Sequence, residues 1–144
     1  MIIRLVRIDD AAGVSGLLET LGYRSPISAV EARIARYLAS PDSIVFVAAL
    51  ELRLVGLASF HRIPLFHADG ALGRITSFVV DSSHRKTGIG RSLIAAVEEF
   101  AWKHDCVRME VTSGDHRADA HAFYLRVGYE FDCRRFIKQK RSSV

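Results

Sequence analysis

A chain of 144 residues is long enough for one domain with a real core, and residues 1–144 are read as a single domain. Apolar residues make 49% and charged residues 25%, an ordinary globular profile rather than a disordered one, and no apolar run nears the roughly 18–20 residues that cross a bilayer. The net charge of +4 sits partly in the tail (Arg134, Arg135, Lys138, Lys140, Arg141), but no basic strand carries the interleaved aromatics that stack bases, so neither a nucleic-acid nor a membrane partner is expected.

Met1-Ile2-Ile3-Arg4 leads into alternating residues without a signal-peptide pattern, so a cytosolic location is expected. Ile3, Leu5, Val6 and Ile8 suggest a first strand, ending at Asp9-Asp10. Asp9 or Asp10 can cap a helix over 11–21, where Val14, Leu17, Leu18 and Leu21 form one stripe and Gly22 is the stop. Pro26 and Ser28 open a second helix with Val30, Ile34, Tyr37 and Leu38 on one face, and Pro41-Asp42 breaks it.

Ser43 to Leu50 and Leu54 to His61 read as two strands joined by a tight turn at Glu51-Leu52-Arg53. Arg62 to Gly73 contains Pro64, Gly70 and Gly73 and reads as a mobile loop near the substrate. Residues 74–80 are a strand. Ile89, Leu93, Val97 and Phe100 then mark a helical stripe to about His104, with Ile94, Ala96 and Ala101 beside it. Val107, Met109 and Val111 alternate as a strand, Arg117 to Val127 reads as a short helix with Gly128 as its left-handed end, and Tyr129 to Lys138 is expected to close the sheet.

The most informative stretch runs from Val79 to Leu93. An apolar strand stops at Asp81, and Arg85-Lys86-Thr87-Gly88-Ile89-Gly90 leads into the long helix. Glycines let a backbone approach an anion closely, and a helix start offers unpaired N–H groups with partial positive charge. Arg85, Lys86 and Arg91 add full charges of the same sign. Two familiar glycine loops are excluded. Gly88 is followed by Ile89 rather than the lysine of a Walker loop, and Leu93 stands where a dinucleotide fingerprint needs its third glycine.

What remains, Arg-x-x-Gly-x-Gly, resembles the acetyl-coenzyme A pyrophosphate loop of the GNAT family of N-acetyltransferases. Arg117-Ala118-Asp119-Ala120-His121-Ala122-Phe123-Tyr124-Leu125-Arg126-Val127-Gly128-Tyr129 is similar to the family's second signature, in the family's order. The resemblance implies a mixed α/β (α+β) fold, with helices on both faces of a strongly twisted mixed sheet of six to seven strands. It also implies a slot opened where the strand before the loop bulges and splays from its neighbour. Main-chain groups of Phe78, Val79 and Val80 would pair with the pantetheine arm, while the backbone of Arg85, Lys86, Thr87, Gly88, Ile89 and Gly90 would hold the diphosphate. An amide near Val80 would stabilise the oxyanion.

Tyr124 matches the family tyrosine that protonates the departing thiolate; a phenol with pKa about 10 facing a thiol of about 8–9 suits that role. Its alternative is a core aromatic beside Phe123.

Three departures from the family stand out. Arg74-Ile75-Thr76-Ser77-Phe78 lacks the strand glutamate that often serves as base, which leaves bulk water, Glu110, His61, His67 or His116 for deprotonation. Arg117 replaces a common asparagine and could reach a phosphate or an acidic substrate, or simply cover the helix start. Lys86 replaces a frequent glycine, so a left-handed backbone there would be strained.

Cys106 and Cys133 lie in no metal-ligand spacing and at strand positions away from the loop, which argues against a covalent acetyl-enzyme; both are expected reduced. The cluster of Asp115, His116, Asp119 and His121 is not read as a metal site. The implied reaction is direct attack by a small-molecule primary amine on acetyl-coenzyme A. A protein N-terminus or lysine as acceptor, or a sensor that binds acyl-coenzyme A without turnover, are the alternatives. A homodimer through the final strands is left open.

Overall fold

Residues 1–112, 118–132 and 135–141 are described by a computed structural model of the chain. They fall into two compact units, Met1–Thr112 and Ser113–Val144. In the first, alternating apolar residues build a sheet of β1 (Ile2–Leu5), β2 (Ser43–Leu50), β3 (Arg53–Pro64), β4 (Ala71–Val80) and β5 (Cys106–Val111), in that spatial order. Neighbours are antiparallel except β4 and β5, which are parallel and joined through helix α3 (Ile89–Lys103). A parallel pair needs such a crossover.

Period two decides which helix covers which face. Val47, Leu57 and Val79 share one face and join a single core with Val14 and Leu17 of α1 (Ala11–Leu21) and Val30 and Ile34 of α2 (Ile27–Leu38). Phe46, Gly56 and Phe60 point to the other face. Phe46 and Phe60 meet Phe100 of α3 edge-on, at ring-centre distances of 6.3 and 5.7 Å. The stripe expected on α3 is buried at Ile89, Leu93, Ile94, Val97 and Ala101. Among the described residues no helix is long and apolar enough to cross a membrane.

Several expectations need correction. The first strand stops at Leu5, and Ile8–Asp10 form a 3-10 turn, because the Asp10 carboxylate accepts the Arg7 N–H at 2.8 Å and curls the chain there. Asp10 does not cap α1 with its side chain. It takes two N–H groups from Arg4, at 2.8 and 2.9 Å, and this pairing holds its carboxyl below the ordinary 3.8. Leu38, expected on the buried face of α2, is exposed at the helix end.

Half of the expected loop 62–73 is strand. Arg62, Ile63 and Pro64 pair with Gly73, Leu72 and Ala71, leaving only residues 65–70 as the connection. Burial of Ala71 and Leu72 drives this pairing, and Pro64 is tolerated because it sits at the strand end.

The second unit holds α4 (Ala118–Arg126), close to the span read from sequence, followed by Gly128 at φ +99°. Residues 129–132 and 135–141 form no strand, so the sheet has five strands among the described residues rather than six to seven. The alternation begun by Tyr129 and Phe131 is lost at Arg135, and the adjacent Phe136 and Ile137 are both exposed.

Candidate active site

The site begins at a defect in β4. Ser59 pairs with Ser77 and Phe60 with Ile75, which leaves Thr76 as the extra residue of a β-bulge. The Thr76 and Ser59 hydroxyls lie 2.8 Å apart. Pairing of β4 with β5 ends one residue before the bulge, at Ile75 and Val111, where the Thr112 N–H reaches the Ile75 carbonyl at 3.5 Å. From there β4 runs on to Val80 while β5 has ended. Val79 sends its side chain into the core under α1 and α2, and Phe78 and Val80 are half-buried.

Past Val80 the loop is held at its root. The Asp81 N–H bonds the Val55 carbonyl at 2.8 Å. Its carboxylate meets the Ser83 hydroxyl at 2.7 Å, His84 Nδ1 at 2.8 Å and Arg53 at 3.1 Å. The hydrogen bonds from Ser83 and then His84 lower its pKa. The Thr87 hydroxyl donates to the His84 carbonyl, and Arg85 Nε lies 3.4 Å from the Val80 carbonyl. Arg85, Lys86, Thr87, Gly88 and Arg91 are exposed, Gly90 is half-buried, and Ile89 is buried as the anchor of α3.

Lys86 adopts φ +64°, the left-handed strain foreseen from its place in the sequence. Gly88 is also left-handed, at φ +87°, and an added Cβ would meet nothing within 4 Å. Among the described residues no side chain caps α3. The helical ladder starts with the Ser92 N–H bonded to the Gly88 carbonyl at 3.0 Å, so the N–H groups of Ile89, Gly90 and Arg91 precede it. A helix start that no described side chain caps, flanked by three cations, suits a diphosphate.

In the second unit, half-buried Tyr124 stands on α4 with its ring near Phe123 and, at 6.2 Å, Tyr129. Arg117, His116 and Cys133 lie outside the described residues. Cys106 is buried at the start of β5, and burial raises its thiol pKa, which makes it a poor nucleophile. His67 is exposed. His61 is not: Tyr37 Oη lies 2.9 Å from its Nε2 and Ser43 Oγ 3.0 Å from its Nδ1.

A loop of this geometry is what the first signature requires, and residues 16–129 match the model of the acetyltransferase (GNAT) family. The chain belongs to the GNAT acetyltransferase family. It is therefore an acyl-coenzyme A-dependent N-acyltransferase with acetyl-coenzyme A as donor. It is 31% identical over 137 residues to an aminoalkylphosphonate N-acetyltransferase of Salmonella typhimurium, covering 94% of this chain and 89% of that one. It is 33% identical over 131 residues to a glucosamine 6-phosphate N-acetyltransferase of Trypanosoma brucei brucei, covering 86% and 87%. Among solved structures, a GNAT family acetyltransferase of Staphylococcus aureus superposes with a TM-score of 0.82 at 25% identity, covering 96% and 98% of the two chains.

Sequence reasoning on this GNAT chain missed the Ser59–Thr76 hydroxyl pair and the setting of His61. Both arise from cross-strand register, for which the local sequence holds no signal.

Proposed function

We propose that this enzyme acetylates the primary amine of a small molecule by direct attack in a ternary complex. The observation that carries the reading is the continuity of one element. β4 bulges at Thr76, outruns β5, and delivers the chain straight to the uncapped start of α3 at Gly88. An extended pantetheine arm would lie along Phe78, Val79 and Val80, with its diphosphate against the main chain of 85–90 and the Arg85, Lys86 and Arg91 side chains. The reach of a helix N-terminus is short, with each contact worth about 0.3–1 kcal/mol, so several N–H groups and the three cations act together.

The donor supplies a thioester: the amine nitrogen bonds to the acetyl carbon as the C–S bond breaks, one proton leaves nitrogen and one reaches sulfur. The amide near Val80 stabilises the oxyanion, and Tyr124 donates the proton to sulfur. Arg117 is assigned to a phosphate or to an acidic part of the acceptor. The buried, pKa-raised Cys106 supports direct transfer over a covalent acetyl-enzyme. Similarity to the two N-acetyltransferases of small phosphorus-containing amines supports a small-molecule acceptor over a protein one.

Free-thiol release from acetyl-coenzyme A in the presence of an amine panel tests the reading. Sustained, amine-dependent release is expected. Binding of coenzyme A in calorimetry without turnover of any amine would turn the assignment into that of a sensor module.

A further inference from the structure

Ser43, His61, Arg74 and Glu110 stand directly opposite one another on β2, β3, β4 and β5. Residues paired in this way share a face, so they form one row of polar side chains across four strands. Along β3 the same face changes from Leu57 in the core, through the hydroxyl of Ser59 at the bulge, to the imidazole of His61. A face roofed by helices is ordinarily apolar, and here Tyr37 of α2 descends onto His61, with ring centres 5.1 Å apart.

The charges in this row are unevenly committed. Arg74 Nη2 lies 3.0 Å from one Glu110 oxygen, and Arg108 Nη2 lies 3.0 Å from the other. Both carboxylate oxygens are taken, so Glu110 has little left to offer a cationic ligand. A guanidinium carries five N–H donors, and each arginine commits only one nitrogen to this pairing. The triad keeps a net charge of +1. His61 does not raise it near neutral pH, because burial and then the nearby Arg74 lower its pKa. All three members of the triad stay accessible, with side chains 40%, 57% and 37% exposed for Arg74, Arg108 and Glu110.

Arg74 precedes the bulged Thr76 by two residues and Phe78 by four. At about 3.3 Å per residue, that places it roughly 7 Å from the bulge and about 13 Å from Phe78, the nearer end of the main chain proposed for the pantetheine arm. We propose that Arg74 is a specificity-determining residue that takes an anionic group (a phosphonate, phosphate or carboxylate) on the far end of the acceptor amine. Arg108 adds the second guanidinium, and Glu110 pairs with both arginines. This inference rests on the reading of the chain as an acetyltransferase of small amines. It narrows the substrate class to amino acids in the broad sense: a primary amine joined by a short linker to an acid.

Two measurements test it. In the thiol-release assay, 2-aminoethylphosphonate, O-phosphoethanolamine and β-alanine are compared with the uncharged 2-methoxyethylamine. At least one anionic amine should exceed the neutral one tenfold or more in kcat/KM. Arg74→Gln should cut that ratio at least tenfold, chiefly through KM, and Arg74→Lys should restore part of it. Glu110→Gln frees both guanidiniums and should lower KM for the anionic amine. A ratio near one in the native enzyme, a preference for the neutral amine, or a ratio untouched by Arg74→Gln overturns the proposal.

The second measurement needs no turnover. Titration with methylphosphonate should move the His61 ring signals in NMR with millimolar saturation, and Arg74→Gln should abolish the shift. An absent or Arg74-independent shift overturns the anion site. Should no amine be acetylated while methylphosphonate still binds through Arg74, the acetyl-transfer reading falls and the anion site stands.

Discussion

Lys86 is the one residue of the cradle whose backbone opposes its side chain. At φ +64° its Cβ crowds the neighbouring carbonyl oxygen, an arrangement that costs roughly 1–2 kcal/mol in a non-glycine residue. Replacement by glycine removes that strain but adds about 0.4–1 kcal/mol of conformational freedom to the unfolded chain. The net gain is about 0.8 kcal/mol. With an unfolding entropy of about 2.1 cal/mol/K per residue, a chain of 144 residues converts this gain into roughly 2–3 °C of Tm. Because lysine also carries a charge beside Arg85, the comparison should be made between Lys86→Gly and Lys86→Ala. Both variants lose the charge, and only the glycine relieves the backbone. Differential scanning calorimetry of the pair should place the glycine variant higher by that margin. A glycine variant melting at or below the alanine variant would show that the left-handed backbone carries no strain.

Gly73→Ala should destabilise the protein by about 1–3 kcal/mol, because the new Cβ would stand 2.7 Å from the fully buried Phe60 ring and 2.6 Å from Met109 Sδ. Chemical denaturation checks this, and an unchanged midpoint would mean the sheet yields freely there. Tyr124→Phe should lower kcat by about 10²-fold or more with coenzyme A affinity retained, within the range for loss of a general acid; an unchanged kcat removes the proton-donor role. His61 titrates in the fold below its ordinary 6.5. Just below pH 6.5 the unfolded chain therefore binds the proton that the folded protein refuses, and stability drops as pH falls through that window. Asp10 also titrates low, but from an ordinary value of 3.8, so it acts only in stronger acid. The Tm loss between pH 7.5 and 5.5 should be smaller in His61→Gln than in the native protein, and equal losses would contradict the burial of the imidazole.

Local chemistry was legible in the sequence, and non-local pairing was not. The left-handed glycine at the start of α3 could be read because glycine and basic residues cluster there within a few consecutive positions, and α3 because its core stripe repeats every helical turn. The same logic misled at Pro64 and Gly70. They read as loop punctuation, whereas the pairing of residues 62–64 with 71–73 depends on burial that no local window contains. Asp10 had the chemistry of a helix cap, but both its carboxylate oxygens are taken by the Arg4 guanidinium, a two-point ionic pairing that the local sequence does not signal. The row from Ser43 to Glu110 draws one residue from each of four strands, so only the register assembles it.

Gly56 shows how the fold sets the site from outside it. This glycine of β3 belongs to neither signature, yet it stands opposite Val80 and directly under α3. A Cβ at Gly56 would lie 2.9 Å from Leu93 Cδ1, 3.3 Å from Ile89 Cγ2 and 3.3 Å from the Val79 carbonyl. Leu93 and Ile89 are buried and cannot swing away. The missing side chain therefore fixes how closely the start of α3 settles onto the end of β4. That separation is also the distance between the main chain proposed for the pantetheine arm and the N–H groups proposed for the diphosphate. Two parts of one ligand must be met at once, so an error of about 1 Å between their holders weakens both contacts together. Packing on the α3 face thus bears on how the donor is held, while the opposite face, with its row ending at Arg74 and Glu110, is left to choose the acceptor.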